Sequence, residues 1–326
     1  MEMINRLKEK ILDGYNITIQ DAQCLITADL DEICSAANEI RNHFCGNIFD
    51  VCTIINGKSG KCSEDCKYCA QSSYFDVGVE EYSLLNTEEF LEQAVYNYKK
   101  GILRYSVVTS GKKLSDNEVD AICETYKKIG ESCGISLCAS HGLLNYEQFV
   151  KLKEVGVKRY HNNLETSRRN FPNICTTHTY DDKITTIKKA QKAGLEVCSG
   201  GLMGLGETMI DRIVLAFDLK DLGIKSVPIN ILNPIKGTPF EHLSVLSLDE
   251  VKRIVAIYRF ILPHAALRLA GGRGLLVDKG KGVFMSGANA TISGDMLTTS
   301  GMSIQDDMDM IKQLGFEVKV VSKMMR

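Results

Sequence analysis

No apolar run in these 326 residues approaches the roughly 20 needed to cross a bilayer, and Met1 to Lys10 is charged without an uninterrupted apolar core. Neither a membrane-spanning helix nor a secretory leader is expected, and the chain is expected in the cytoplasm. An excess of charge is lacking too. The formal net charge is -2, and lysine and arginine are spread through the predicted helices without forming a basic stripe. That argues against nucleic acid and for a small-molecule substrate. Low-complexity linkers and sequence repeats are absent, so nothing splits the chain into separate modules. Disulfides are not expected either, because 12 cysteines in a long, apparently unexported chain are better read as reduced thiols or metal ligands.

What is present is the material of a globular enzyme. Hydrophobic residues make up 44% and charged residues 25%, enough for a substantial core rather than a disordered chain. Residues 1–45 show helical spacing, with Met3-Ile4, Leu7 and Ile11 recurring and then Ile33, Ala36-Ala37 and Ile40. From Val51 short β-branched runs bounded by glycines alternate with helical stretches. Strands are predicted at Val51–Ile55, Leu103–Thr109, Ile135–Ala139, Val157–Asn163, Leu195–Leu202, Ser226–Leu232, Ala266–Ala270 and Ala290–Ser293. Eight such strands predict an α/β fold, a (β/α)8 TIM-type barrel, with an N-terminal helical extension at 1–45 and a catalytic barrel at 46–326. Capping-box patterns at Ser115–Glu118 and Ser247–Glu250 mark two helix starts.

The chemistry concentrates in Gly57–Cys69, a loop after the first predicted strand, where barrels carry their catalytic residues. Cys62, Cys66 and Cys69 can wrap one polymetallic centre, and no fourth ligand stands beside them. Structural zinc sites are closed by four ligands, whereas a four-iron cube on three thiolates keeps one iron open to a small molecule. Three ordinary thiols, or a zinc site completed by His43 or His161, are the alternatives. Within predicted strands, Cys138, Cys198 and Arg268 sit in apolar surroundings and converge if they point into the barrel. A guanidinium there needs an anion or a metal cluster. Otherwise Arg268 points to solvent and the two cysteines are small buried hydrophobes.

The C-x3-C-x2-C spacing resembles the radical S-adenosylmethionine superfamily, in which the aromatic before the last cysteine, here Tyr68, packs against the cofactor. That resemblance implies a [4Fe-4S] cluster on Cys62, Cys66 and Cys69, S-adenosylmethionine on its open iron, and release of a 5'-deoxyadenosyl radical. Cys62–Ser72, Val197–Gly201, Gly204–Thr208, Ser226–Asn230, Lys236–Pro239, Arg268–Arg273 and Gly287–Asn289, in that order, resemble the biotin synthase family from about Asn56 to the C-terminus. The family resemblance implies insertion of sulfur into dethiobiotin, with the sulfur drawn from an auxiliary iron-sulfur cluster, [2Fe-2S] in the family, deep in the barrel. It also implies an electron donor such as flavodoxin or ferredoxin, and a homodimer.

Residue by residue, the auxiliary-cluster positions fall on Ser106, Cys138, Cys198 and Arg268. Ser106 departs from the family's cysteine, and an alkoxide is a harder and less common iron ligand than a thiolate, which leaves the cluster type open. Cys133 and Cys175 either compensate or are plain thiols. Asn163 and Glu165 match positions that touch substrate and the cofactor ribose, and a carboxylate suits paired hydroxyls. Lys183 stands for an arginine near the cofactor carboxylate, keeping charge without the fork, and is otherwise a solvated helix lysine. Asn230 matches an amide position near the dethiobiotin ureido ring, and His161 stands where the family often has an asparagine; for these amides the alternative is turn or strand-end capping. The rival readings are another radical enzyme of this architecture, such as a hydrogenase maturase or a methylornithine synthase, and a non-catalytic metal-binding scaffold.

Overall fold

The computed structural model describes residues 2–299 and 301–319. Helices α1 (Glu2–Leu12), α2 (Ile19–Cys24) and α3 (Leu30–Cys45) come first. Ile4, Leu7 and Ile11, then Ile33, Ala36, Ala37 and Ile40, are buried, so the periodic apolar faces are the packed faces, except that Met3, one position before Ile4 and turned off that face, is exposed. Strands and helices then alternate: β1 (Ile48–Lys58), α4 (Thr87–Lys99), β2 (Arg104–Thr109), α5 (Asp116–Ser132), β3 (Ser136–Ser140), α6 (Tyr146–Glu154) and β4 (Arg159–His161). The short α7 (Phe171–Ile174) leads to α8 (Tyr180–Lys192), β5 (Glu196–Cys198), β6 (Gly201–Met203), α9 (Met209–Asp221), β7 (Ser226–Ile231), α10 (Leu248–Ile261) and β8 (Ala266–Leu269). After α11 (Lys281–Phe284) and β9 (Ala290–Ile292), α12 (Ile304–Gln313) and β10 (Glu317–Val318) complete the described chain. The boxes expected at Ser115 and Ser247 both form, each side chain accepting from the third helical amide while that glutamate accepts from the cap amide.

The parallel order β1-β2-β3-β4-β5-β7-β8-β9 closes on itself, since β9 pairs with β1. This is the expected eight-stranded barrel, with differences that have physical causes. Leu195–Leu202 is two strands. Gly200 breaks it, because a Cβ there would lie 1.9 Å from the Pro228 carbonyl oxygen, and its amide leaves the ladder for the Asn163 side chain at 3.0 Å. Val157–Asn163 shrinks to three residues, because Asn162 and Asn163 already enter the turn toward Glu165, whose φ is +69°. The two-residue β10, absent from the expectation, extends the sheet beside the start of β1 through Ile48 and Phe49.

One hydrophobic core runs from Ile4 through the barrel wall to Phe316. The N-terminal helices share it: α3 lies against α10, and α2 against α9. At the far end α12 is fastened by a fully buried pair, Arg273 Nη2 donating to both Asp307 carboxylate oxygens at 2.7 Å. Removing one member of such a pair strands the other charge, so D307A is expected to cost about 3–5 kcal/mol. A denaturant midpoint unchanged from wild type would contradict this.

Candidate active site

The loop after β1 folds back on itself. Cys62 donates its amide to the Gln71 carbonyl (3.0 Å), Ser73 donates to the Cys62 carbonyl (2.9 Å), and Cys69 donates to the Cys66 carbonyl (2.9 Å). Gly60 and Lys61 both take left-handed conformations, φ +71° and +47°, to start the turn. All three cysteines are half-buried, and Tyr68 between them lines the barrel cavity.

A second segment, Ile174 to His178, of which the sequence reasoning singled out Cys175 alone, holds this loop. Asp65 accepts from the Thr176 and Thr177 amides (2.8 and 3.1 Å), and Lys67 donates its amide to the Ile174 carbonyl (2.9 Å). Burial opposes the Asp65 charge, yet the Thr176 hydroxyl and amide, the Cys175 thiol and the Thr177 amide hold its carboxyl well below the usual range. Glu64 meets His178 Nδ1 at 2.5 Å. D65A should release this docking at a cost of about 1–3 kcal/mol and loosen the loop. The checks are a thermal melt and the iron retained after gel filtration, and iron retention equal to wild type would contradict the docking role.

Cys175 belongs to this second segment. It contacts Asp65 and His178 Nδ1 through its sulfur at 3.2 and 3.3 Å, and its sulfur, the Cys66 sulfur and a His178 nitrogen all lie within 4.8 Å of one another. The Cys66 contact, outweighing burial, draws the Cys175 thiol down to about 4, while the same contact, together with burial, pushes the Cys66 thiol up. Lys183 is close enough for its charge to favour the Cys66 thiolate. Cys175 thus stands with the loop and not in the barrel, and Cys133 caps α5 away from the interior cavity, so neither thiol supplements Cys138 and Cys198. Of the histidines weighed as a fourth ligand to the loop, His43 packs on Phe44 in α3, and His161 lies in the cavity beside Cys198.

A cavity of about 390 Å³ occupies the barrel. Tyr68, Asn163 and Glu165 line it, and so do Ser106, Cys138, Cys198 and Arg268, which turns inward as expected. Burial, then the Glu165 charge, pushes the Tyr68 hydroxyl far up. Asn163 bridges inward structure, accepting from Gly200 and donating to Glu165 Oε2 at 3.3 Å. Asn230 donates to the Gly201 carbonyl (3.1 Å) and accepts from the Gly271 amide (3.0 Å), so the strand-end capping weighed for it is real, and one amide hydrogen and one lone pair stay available to a ligand. Burial raises the Cys198 thiol, but a hydrogen bond from His161 and the charges of His161, Arg159 and Arg268 bring it down to about 7.

The anion that Arg268 requires is partly supplied by the protein. Its Nη2 donates to Asp50 Oδ1 (2.8 Å), and its Nη1 donates to the Thr291 carbonyl (2.7 Å) and contacts Cys52 Sγ (3.2 Å). Asp50 and Cys52 were both missed from the sequence. Asp50 precedes the predicted Val51–Ile55 strand by one residue, and Cys52 lies within it, two residues from Asp50 and so on the same face. Burial opposes ionisation of Asp50, but Arg268 and Arg104 on either side hold it well below the usual range.

Residues 56–219 match the Radical SAM superfamily, and residues 228–317 match the Biotin and Thiamin Synthesis associated domain. The chain is 61% identical to the biotin synthase of Clostridium botulinum (strain Alaska E43 / Type E3) over 318 residues, 98% of this chain and all of that one. It is 58% identical to the biotin synthase of Akkermansia muciniphila over 320 residues, again 98% of this chain and all of the relative. In fold it is similar to a crystal structure of methylornithine synthase, at a TM-score of 0.84 and 19% identity over 97% of this chain and 98% of that one. A maturase of the [FeFe]-hydrogenase superposes at 0.80, with 19% identity over 97% of this chain and 75% of the other. At those identities the two structures speak for the barrel alone. The near-full-length identity to the curated enzymes is of another order, and on it this chain belongs to the biotin synthase family of the radical SAM superfamily.

Proposed function

We propose that the chain inserts sulfur into dethiobiotin to form biotin, with Cys62, Cys66 and Cys69 holding a [4Fe-4S] cluster and the barrel floor holding an auxiliary iron-sulfur cluster as the sulfur source. One observation carries this: a single cavity joins Tyr68, beside the loop thiols, to Cys138, Cys198 and Arg268 on the floor, so a small molecule seated in it reaches both ends. The donor sets fit the groups. Three half-buried thiols on one loop, with Lys183 near, suit an anionic cluster with an open iron. When bound, that cluster and S-adenosylmethionine supply the 5'-deoxyadenosyl radical that removes hydrogen from unactivated carbon.

The remaining residues bind and orient. Glu165, held in a left-handed backbone conformation by its Gly200 and Leu202 bonds, aims a carboxylate into the cavity where it accepts from paired ribose hydroxyls. Tyr68 offers an aromatic face, Asn163 fixes Glu165, and Lys183 meets the cofactor carboxylate. His161 and Asn230 face the ureido ring, Asn230 with the donor and the acceptor it has left. Ser106, Cys138, Cys198 and Arg268 surround the auxiliary centre, whose nuclearity the Ser106 departure leaves open. Residues 46–326 form the catalytic unit and 1–45 brace its wall. A flavodoxin or ferredoxin supplies electrons, the enzyme is a homodimer, and it works in the cytoplasm; among the described residues no helix is long and apolar enough to cross a membrane.

The test is isotopic. Protein reconstituted with heavy-isotope sulfide, and given dethiobiotin, S-adenosylmethionine and dithionite without oxygen, should yield biotin carrying the heavy sulfur in its first turnover. Biotin bearing only light sulfur would remove the auxiliary cluster as its source.

A further inference from the structure

We infer that Cys52 on β1 is the third thiolate of the auxiliary cluster, occupying the part that Ser106 leaves vacant; this rests on the reading that such a cluster sits in the barrel. The register of the sheet carries the inference. In a closed barrel of eight parallel strands, side chains from alternate strands share one layer across the axis, because each registered partner on the next strand sits one position lower. From Cys52, two such steps lead through Arg104 to Ser136, and two residues along β3 restore the level at Cys138. Two steps from Cys138 lead through Arg159 to Glu196, and two residues along β5 restore it at Cys198. Two more lead through Ser226 to Ala266, and two residues along β8 reach Arg268. The last two pass through Ala290 to Asp50, and two residues along β1 return to Cys52. The four inward residues of this one layer are therefore Cys52, Cys138, Cys198 and Arg268.

Ser106 is registered with Cys138 on the neighbouring strand and so belongs to the adjoining layer, level with His161 and Pro228. Cys52 lines the same cavity as the other three, and the Arg268 guanidinium is 3.2 Å from its sulfur. The charge balance points the same way. Arg104, Arg159 and Arg268 are buried around this layer. Asp50 serves two of them, and Glu196, the partner of Arg159, is half-exposed. Such an interior favours an anionic set of thiolates on iron over three neutral thiols. As a small buried hydrophobe Cys52 would have been packed by apolar neighbours; it faces a cavity and a cation instead.

The experiment compares anaerobically reconstituted wild type, C52S, S106A, C198A and the double variant C52S/S106C, full-length, by iron and sulfide per chain and by Mössbauer spectra. The EPR signal of the reduced loop cluster, and its perturbation by S-adenosylmethionine, reports that the fold and the loop site are intact. C52S should lose the iron that exceeds the loop cluster while keeping that EPR signal, S106A should lose less interior iron than C52S, and C52S/S106C should regain interior iron. Interior iron in C52S at wild-type amount and with wild-type Mössbauer parameters would overturn the assignment while leaving the auxiliary cluster itself standing, provided C198A still loses it. Wild type with no iron beyond the loop cluster would remove the auxiliary cluster, and Cys52's role with it.

Discussion

C66A should fail to assemble the loop cluster and should produce no 5'-deoxyadenosine above background. The reason is ligand count. On the proposed reading three thiolates are the protein's contribution to the open cube, and losing one would leave a second iron uncovered at a half-buried site. Loss of an outer partner costs a metal site roughly 10–100-fold, and loss of a ligand should exceed that. The measurement is iron content with anaerobic cofactor cleavage, and cleavage within tenfold of wild type would contradict the loop's role. Cys175 offers a built-in control. It contacts Cys66 from the docking segment, so C175A should weaken cluster retention but leave cleavage measurable.

C198A should behave in the opposite way. Cys198 lies on β5 at the cavity floor, hydrogen-bonded by His161 and by Ser226 Oγ at 3.2 Å, and is remote in sequence from the cysteine loop proposed to hold the cleaving cluster. Its loss should leave 5'-deoxyadenosine formation within a few-fold of wild type while biotin falls by about 100-fold or more, the scale on which a missing sulfur source acts when other interactions persist. Chromatography of both products from the same reaction distinguishes the two steps. Biotin formed at the wild-type rate would count against the interior thiols.

Much of this was legible in the sequence because it is local. The β/α rhythm, the boxes at Ser115 and Ser247, and the loop triad depend on residues within one turn or one loop of each other, and periodicity captures them. The inward turn of Arg268 was expected only when it was taken together with Cys138, Cys198 and the loop cluster, and the structure supplies the partner, Asp50, 218 residues away. That pair, the capture of the cysteine loop by Thr176 and Thr177, and the Glu64–His178 contact depend on closure of the barrel, which no local pattern encodes. Cys175 illustrates the limit. In sequence it is one more unassigned thiol, and only the fold puts it against Cys66. Cys52 illustrates another, since its strand was predicted but its level relative to β3, β5 and β8 follows only from the register of the whole sheet. Gly200 shows a third case: the break in Leu195–Leu202 comes from close approach to Pro228 on another strand.

The most direct test of the central claim measures whether radical formation is coupled to this substrate. Full-length protein reconstituted with iron and sulfide under anaerobic conditions is given S-adenosylmethionine and a reductant, with and without dethiobiotin, and 5'-deoxyadenosine and biotin are quantified together. A biotin synthase should form 5'-deoxyadenosine faster when dethiobiotin is present and should release biotin alongside it. Cleavage indifferent to dethiobiotin, with no biotin formed by a protein carrying its full complement of iron, would contradict that claim.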